Sequence, residues 1–351
     1  SPTGLFFLIA IFNTALLGIL WWILRSVFGI WVAILTIALY AVFPLEIGQL
    51  RFNWNPCFLP FMLTIAMGAL WRVTVFQEKW PLLVCVIFLV FGLQLHFSAV
   101  QAIIVSLIIL IVARAKPSGP VLISSLFAVI LLFLPLIINE ISTDSSNLQE
   151  VIEAPDSERS SAEKFAFNPN GIKNFFYHVR LDFYEENDEL GFSVLESVEL
   201  IGPIWIGPKK MLLAKIINGF GQIQLLFWLI GFVYSVNRVI EFFRDNQYER
   251  DGDESLRKMI PFLTLVLFQV VPVLVLSFFN YHGKPGDPPG IAPIRYYLVT
   301  YPTPFITSAV GIVLLCGWAR NFMESIWGQH IILFLVAGLF SSHIVFNILY
   351  L

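Results

Sequence analysis

Three groups of polar side chains stand at the ends of apolar runs. Glu46, Gln49, Arg51, Asn53, Trp54 and Asn55 form the first, Gln94 and His96 the second, and Tyr281, His282, Lys284, Asp287, Arg295, Tyr296 and Tyr297 the third. Their chemistry is that of anion binding. Arg51 and Arg295 offer planar forks that match phosphate oxygens two at a time, and Lys284 offers a point charge. His96 can donate to the same group from a ring nitrogen. Trp54, Tyr296 and Tyr297 supply flat faces for a sugar or an isoprenoid chain, with Asn53, Asn55 and Gln94 beside them. Arg51, His96, Lys284 and Arg295 are therefore the candidate phosphate ligands, and the other six the candidate lining. Arg and Tyr at helix ends also serve as interfacial anchors, and that reading stands beside the first.

The elements that must position these residues are apolar. Hydrophobic residues make up 58% of the 351-residue chain and charged residues 13%, far from the usual soluble balance. This indicates an all-α, polytopic membrane bundle. It excludes disordered, collagen-like and disulfide-rich classes, and a net charge of −3 offers no basic surface for nucleic acid. Cys57, Cys85 and Cys316 are too scattered for a metal site.

A span needs about 20 apolar residues. The candidate runs are Gly4–Leu24, Phe28–Pro44, Cys57–Trp71, Trp80–Leu95, Ala99–Ala113, Val121–Asn139, Leu213–Ile240, Pro261–Asn280, Leu298–Trp318 and Trp327–Leu351. The stretch from Trp80 to Ala115 is split by Gly92-Leu93-Gln94-Leu95-His96, which predicts a tight turn there. Ten spans divide the chain into a six-span N-terminal part (1–140), an external loop (141–212) and a four-span C-terminal part (213–351).

Arg25, Arg72, Lys79, Arg114, Lys116, Arg238, Arg244, Arg250, Arg257, Lys258 and Arg320 all fall on one alternate set of connections. Only Arg51, Lys284 and Arg295 fall on the other, leaving the long loop aside. The first set is then cytoplasmic, and all three polar groups face outside. No Asp, Glu, Lys or Arg sits mid-span, which speaks against an ion-coupled pump. His330 and His343, both in the last run, read as helix contacts.

The loop is rich in acid. Its stretch Ile172, Phe175, Phe176, Val179 and Phe183 has helical spacing, for a helix on the membrane surface or against the bundle. Asp182, Glu185, Glu186, Asp188 and Glu189 could take a divalent cation, although their spacing matches no known cage and a solvated acidic loop is the plainer reading. No cofactor is assigned.

The order of these elements resembles the GT-C membrane glycosyltransferases, in particular bacterial relatives of protein O-mannosyltransferases and of the lipid A aminoarabinose transferase. The likeness rests on Leu24-Arg25-Ser26-Val27-Phe28-Gly29, Leu39-Tyr40-Ala41-Val42-Phe43-Pro44, Leu50-Arg51-Phe52-Asn53-Trp54-Asn55-Pro56, Gly92-Leu93-Gln94-Leu95-His96-Phe97-Ser98 and Arg295-Tyr296-Tyr297-Leu298-Val299-Thr300-Tyr301-Pro302. It implies transfer of a sugar from a polyprenyl-phosphate donor to a protein, lipid or glycan acceptor on the outer face of a bacterial inner membrane, with inversion at the anomeric carbon. The family's catalytic Asp lies in a first external loop. This chain starts after the matching point, so that Asp is expected upstream of Ser1. Two other readings remain: an envelope polysaccharide polymerase or ligase, in which His178 and Arg180 of the long loop would matter most, and a non-enzymatic lipid or solute transporter.

Overall fold

The computed structural model describes residues 2–43, 55–142, 172, 208–244, 253–278, 299–322 and 326–350. Among them there is no strand. Ten helices fall on the ten apolar runs: α1 (Pro2–Val27), α2 (Ile30–Val42), α3 (Leu59–Thr74), α4 (Pro81–Leu95), α5 (Ala99–Val112), α6 (Gly119–Ser142), α7 (Pro208–Arg244), α8 (Asp253–Phe278), α9 (Thr303–Phe322) and α10 (Ile326–Tyr350). A short 3₁₀ turn, Asn55–Phe58, leads into α3. Proline at the start of α3 and α4 stands where its missing N–H costs nothing.

Five helices, α1 and α6 to α9, contain segments long and apolar enough to cross a membrane. The apolar stretches of the others are shorter, 17 residues or fewer. The outer surface is apolar as well. Leu126 and Phe127 of α6, Trp31 of α2 and Phe334 of α10 are all more than 60% exposed, and Ser125 is the only buried residue of α6. An apolar exterior of this extent fits acyl chains rather than water.

Two sequence readings are corrected in detail. The turn between α4 and α5 lies at His96–Ser98, and Gly92 is helical. Gly92 does not break the helix but lets it pack closely: a Cβ there would meet Leu59, Leu63 and Ala99 at 3.4 Å. The seventh helix begins at Pro208, ahead of the expected Leu213, because proline is well suited to a first helical position and Lys209 and Lys210 extend a helix readily.

The closest packing joins α7 and α9. A Cβ on Gly231 would lie 1.9 Å from the Thr307 carbonyl oxygen, and one on Gly311 would lie 1.9 Å from the Phe227 carbonyl oxygen. Each glycine thus faces the carbonyl four residues before the other, so the backbones touch as only small residues permit. A buried polar network flanks the crossing. Gln269 of α8 donates to Thr307 Oγ1 at 2.8 Å and accepts from Trp228 Nε1. Farther along, Trp71 of α3 donates to Thr264 Oγ1 of α8 at 3.0 Å.

The helix ends sort into two layers. The ends of α1 and α3, the late part of α7 and the start of α8 surround one cavity. At the opposite end, Phe43 after α2 packs edge-on against Phe305 of α9 at 4.7 Å and lies 6.0 Å from the His343 ring of α10. Ile172 is the one described residue of the amphipathic loop stretch, and it packs against Trp228, Val273 and Leu276 of α7 and α8.

Replacing Gly231 or Gly311 by Ala should destabilise the bundle by about 1–3 kcal/mol, the usual cost of overpacking. Gly317→Ala, where a Cβ meets nothing within 4 Å, should be neutral. Thermal unfolding of the detergent-solubilised protein, followed by tryptophan fluorescence, distinguishes the three.

Candidate functional site

The described part of the candidate site is the turn from α4 to α5. His96 ends α4 in an extended conformation, with its own N–H bonded to the Gly92 carbonyl. Its carbonyl accepts from Ala99 N–H at 3.0 Å. Its ring completes the turn: Ser98 N–H donates to Nδ1 at 3.2 Å, and Ser98 Oγ lies 2.8 Å from the same nitrogen. A nitrogen that accepts an N–H carries the lone pair, so the neutral ring holds its proton on Nε2. The sequence left both ring nitrogens open as donors. The fold uses Nδ1 in the turn, which puts the ring proton on Nε2.

Gln94, two residues earlier, is exposed and donates from Nε2 to the Leu132 carbonyl of α6 at 2.8 Å. Pro135 lies just beyond within α6. It has no N–H for the helix ladder and crowds the preceding turn, which opens that backbone to an outside donor. Gln94 therefore ties α4 to α6, a role its sequence neighbours do not reveal.

Depth gives the turn its interest. α4 has 15 residues and α5 has 14, so each rises only about 22 Å. Set in a bilayer core of about 30 Å, with their Arg- and Lys-bearing ends at one face, they stop well short of the other. α6 continues past Leu132 to Ser142. On the far side, Phe12 of α1 packs edge-on against Phe58 and Phe61 at 5.5 and 4.7 Å, with more of α1 still to come before Pro2. The Asn55–Phe58 turn packs against α1, α3 and α4. The two turns thus share a level, a floor past which α1 and α6 both continue. Non-helical backbone at such depth is tolerated where protein buries it or a polar cavity solvates it. Two buried side-chain oxygens near this floor, Asn13 Oδ1 and Gln101 Oε1, have no hydrogen-bond partner in the structure. Such orphan acceptors suit hydroxyl donors.

Asn55 opens the floor turn. Arg51, Asn53, Trp54, Lys284, Arg295, Tyr296 and Tyr297 lie outside the described residues, as do the candidate cation ligands Asp182, Glu185, Glu186, Asp188 and Glu189. The described ends still constrain how the chain runs. It leaves at Phe43, which packs on Phe305, and returns at Asn55 beside α4. Among the described residues no group of three His, Cys, Asp or Glu could hold a metal.

Sequence reasoning missed one polar pair. His343 Nε2 lies 2.9 Å from Gln224 Oε1, and both residues are buried. His343 is thus the helix contact that the sequence suggests, but its partner is 119 positions away, so no local spacing could name it.

Compared with protein-family models, curated proteins and solved structures, the chain matches none.

An asparagine at position 96 can accept the Ser98 N–H as Nδ1 does but has no donor where Nε2–H stands. His96→Asn should therefore leave the melting temperature close to wild type. His96→Ala should lower it by the equivalent of about 1 kcal/mol, the usual worth of one internal hydrogen bond. Paired thermal melts of the two variants check this.

Proposed function

We propose that the chain is a GT-C-type membrane glycosyltransferase. In this reading it spans a bacterial inner membrane ten times and moves a sugar from a polyprenyl-phosphate donor to an acceptor on the outer face. The observation that supports the reading is the His96 turn: Nδ1 accepts within it, and α1 and α6 continue past its level, which in this reading makes it the floor of a recess. A phosphate on a lipid chain sits at the membrane interface, so a recess of this depth lets the headgroup enter while the prenyl tail stays among acyl chains.

The chemistry follows from where charge develops. An acceptor oxygen attacks the anomeric carbon from the face opposite the phosphate, which inverts the configuration. The bond to the phosphate oxygen breaks, and polyprenyl phosphate leaves with an added negative charge. His96 Nε2–H and the guanidinium of Arg51 stabilise that charge, with Lys284 and Arg295 in support. Asn53, Trp54, Asn55, Gln94, Tyr296 and Tyr297 line donor and acceptor. No residue of this chain is assigned as the base that takes the acceptor's proton.

The test is sugar transfer from a synthetic polyprenyl-phosphate donor in native membranes. Arg51→Ala and His96→Asn should each lower turnover about 100-fold or more, as loss of one transition-state donor does. Arg180→Ala and His178→Ala should leave it within a few-fold. The reverse pattern would establish the polymerase or ligase reading. Movement of lipid or solute without a new glycosidic bond would establish a transporter.

A further inference from the structure

The opposite end of the bundle holds a second site. A cavity of about 370 Å³ opens where the ends of α1 and α3 meet late α7 and early α8. Volumes of this order suit small ligands and headgroups. Arg238 of α7 and Arg257 and Lys258 of α8 line it, and Phe28, Phe76 and Phe262 give it apolar walls. We propose that this cavity binds the phosphate diester of an anionic phospholipid, drawn from the leaflet on the basic side of the bundle. The proposal is independent of the transfer reaction at the other end.

The charges argue for an anion. Among the described residues Glu254 is the only carboxylate in the lining, and Lys258 holds it at 2.7 Å. Arg238 pairs with Glu241 at 3.0 Å. Both pairs are well exposed, and exposed pairs are worth about 0–1 kcal/mol, so a phosphate can exchange for either carboxylate. Arg257 differs: its Nε is buried and has no hydrogen-bond partner in the structure. A buried guanidinium N–H without an acceptor is costly, and a phosphate oxygen supplies one. Arg72 is not available to compete for the ligand. It is bonded to Glu78, and it stacks over Trp22 and Phe76 at 5.6 and 5.1 Å, which holds Phe76 as a wall.

The walls argue for a lipid. Phe28 packs edge-on against Trp71 and Phe262, each at 5.7 Å, and Tyr234 against Phe262 at 5.5 Å. This rigid aromatic rim beside the cations is chemistry suited to the glycerol and the first acyl carbons. Basic pockets between membrane helices recognise anionic headgroups, and the aromatic rim adds an apolar face beside them.

The full chain, reconstituted in phosphatidylcholine nanodiscs, is titrated with phosphatidylglycerol, with more phosphatidylcholine, or with glycerol 3-phosphate, and bound ligand is read by native mass spectrometry. Wild type should retain phosphatidylglycerol well above the added phosphatidylcholine. Arg257→Gln should weaken that retention roughly fivefold, the weight of one cation near an anionic surface. Arg238→Gln is the second variant, at a half-exposed position, should Arg257→Gln fail to fold. Glycerol 3-phosphate binding with the same dependence on both arginines, and no lipid preference, would keep the phosphate site but assign it to a soluble ester. Equal retention of the two lipids without soluble-ester binding, or retention unchanged in both correctly folded variants, would overturn the proposal.

Discussion

The backbone contact between α7 and α9 fixes the C-terminal half of the molecule. In a membrane, helices gain little from leaving lipid for one another, because lipid tails are as apolar as leucine. Close packing and hydrogen bonds must do the work. Gly231 and Gly311 meet opposing carbonyls with no side chain between them. That approach brings Gln269 and Thr307 into bonding distance and leaves room for Trp228. α9 then positions Phe305, against which Tyr40 of α2 and Phe43 just after it close. The N-terminal helices are thereby seated on the C-terminal ones through a chain of contacts that starts at two glycines.

Much of the architecture was legible because hydropathy reports span-sized apolar runs directly. Each of the ten runs became a helix, and the split of the long stretch before Ala115 fell within a few residues of its expected place. The misplacement at Gly92 has a simple cause. A glycine in an apolar run reads equally as a breaker or as a point of close approach, and the deciding neighbours, Leu59 and Leu63, belong to another helix. The same limit hid Gln94's bond to Leu132 and the pairing of His343 with Gln224. Composition shows that such polar residues are uncommon in apolar helices, but not which distant residue satisfies them. Most of the expected phosphate ligands lie on connections, where periodicity carries no signal; His96 was legible as a candidate because a polar turn interrupts a long apolar stretch.

The two ends of the bundle differ in chemistry. One gathers arginine and lysine around an aromatic-walled cavity. The other gathers neutral donors and acceptors, His96, Ser98, Gln94 and Gln101, among short helices. Charge near a surface can be left to solvent and lipid headgroups, whereas polar groups at depth must be satisfied by protein or by ligand. Among the described residues, exposed ion pairs stand at the first end beside the buried Arg257 Nε, and the orphan amide oxygens Asn13 Oδ1 and Gln101 Oε1 at the second.

In the proposed ten-span reading, the short helices α4 and α5 also act on the bilayer. Lipids against that sector meet about 22 Å of apolar helix where the core is about 30 Å thick. A deficit of roughly 8 Å is relieved by local thinning, at a fraction of a kcal/mol per Å. Acyl chains there must tilt or compress, and the outer headgroups sink with them. On that reading the protein lowers the membrane to its own floor: the proposed lipid-borne donor, drifting into that dimple, covers part of the distance to His96 before it touches a side chain.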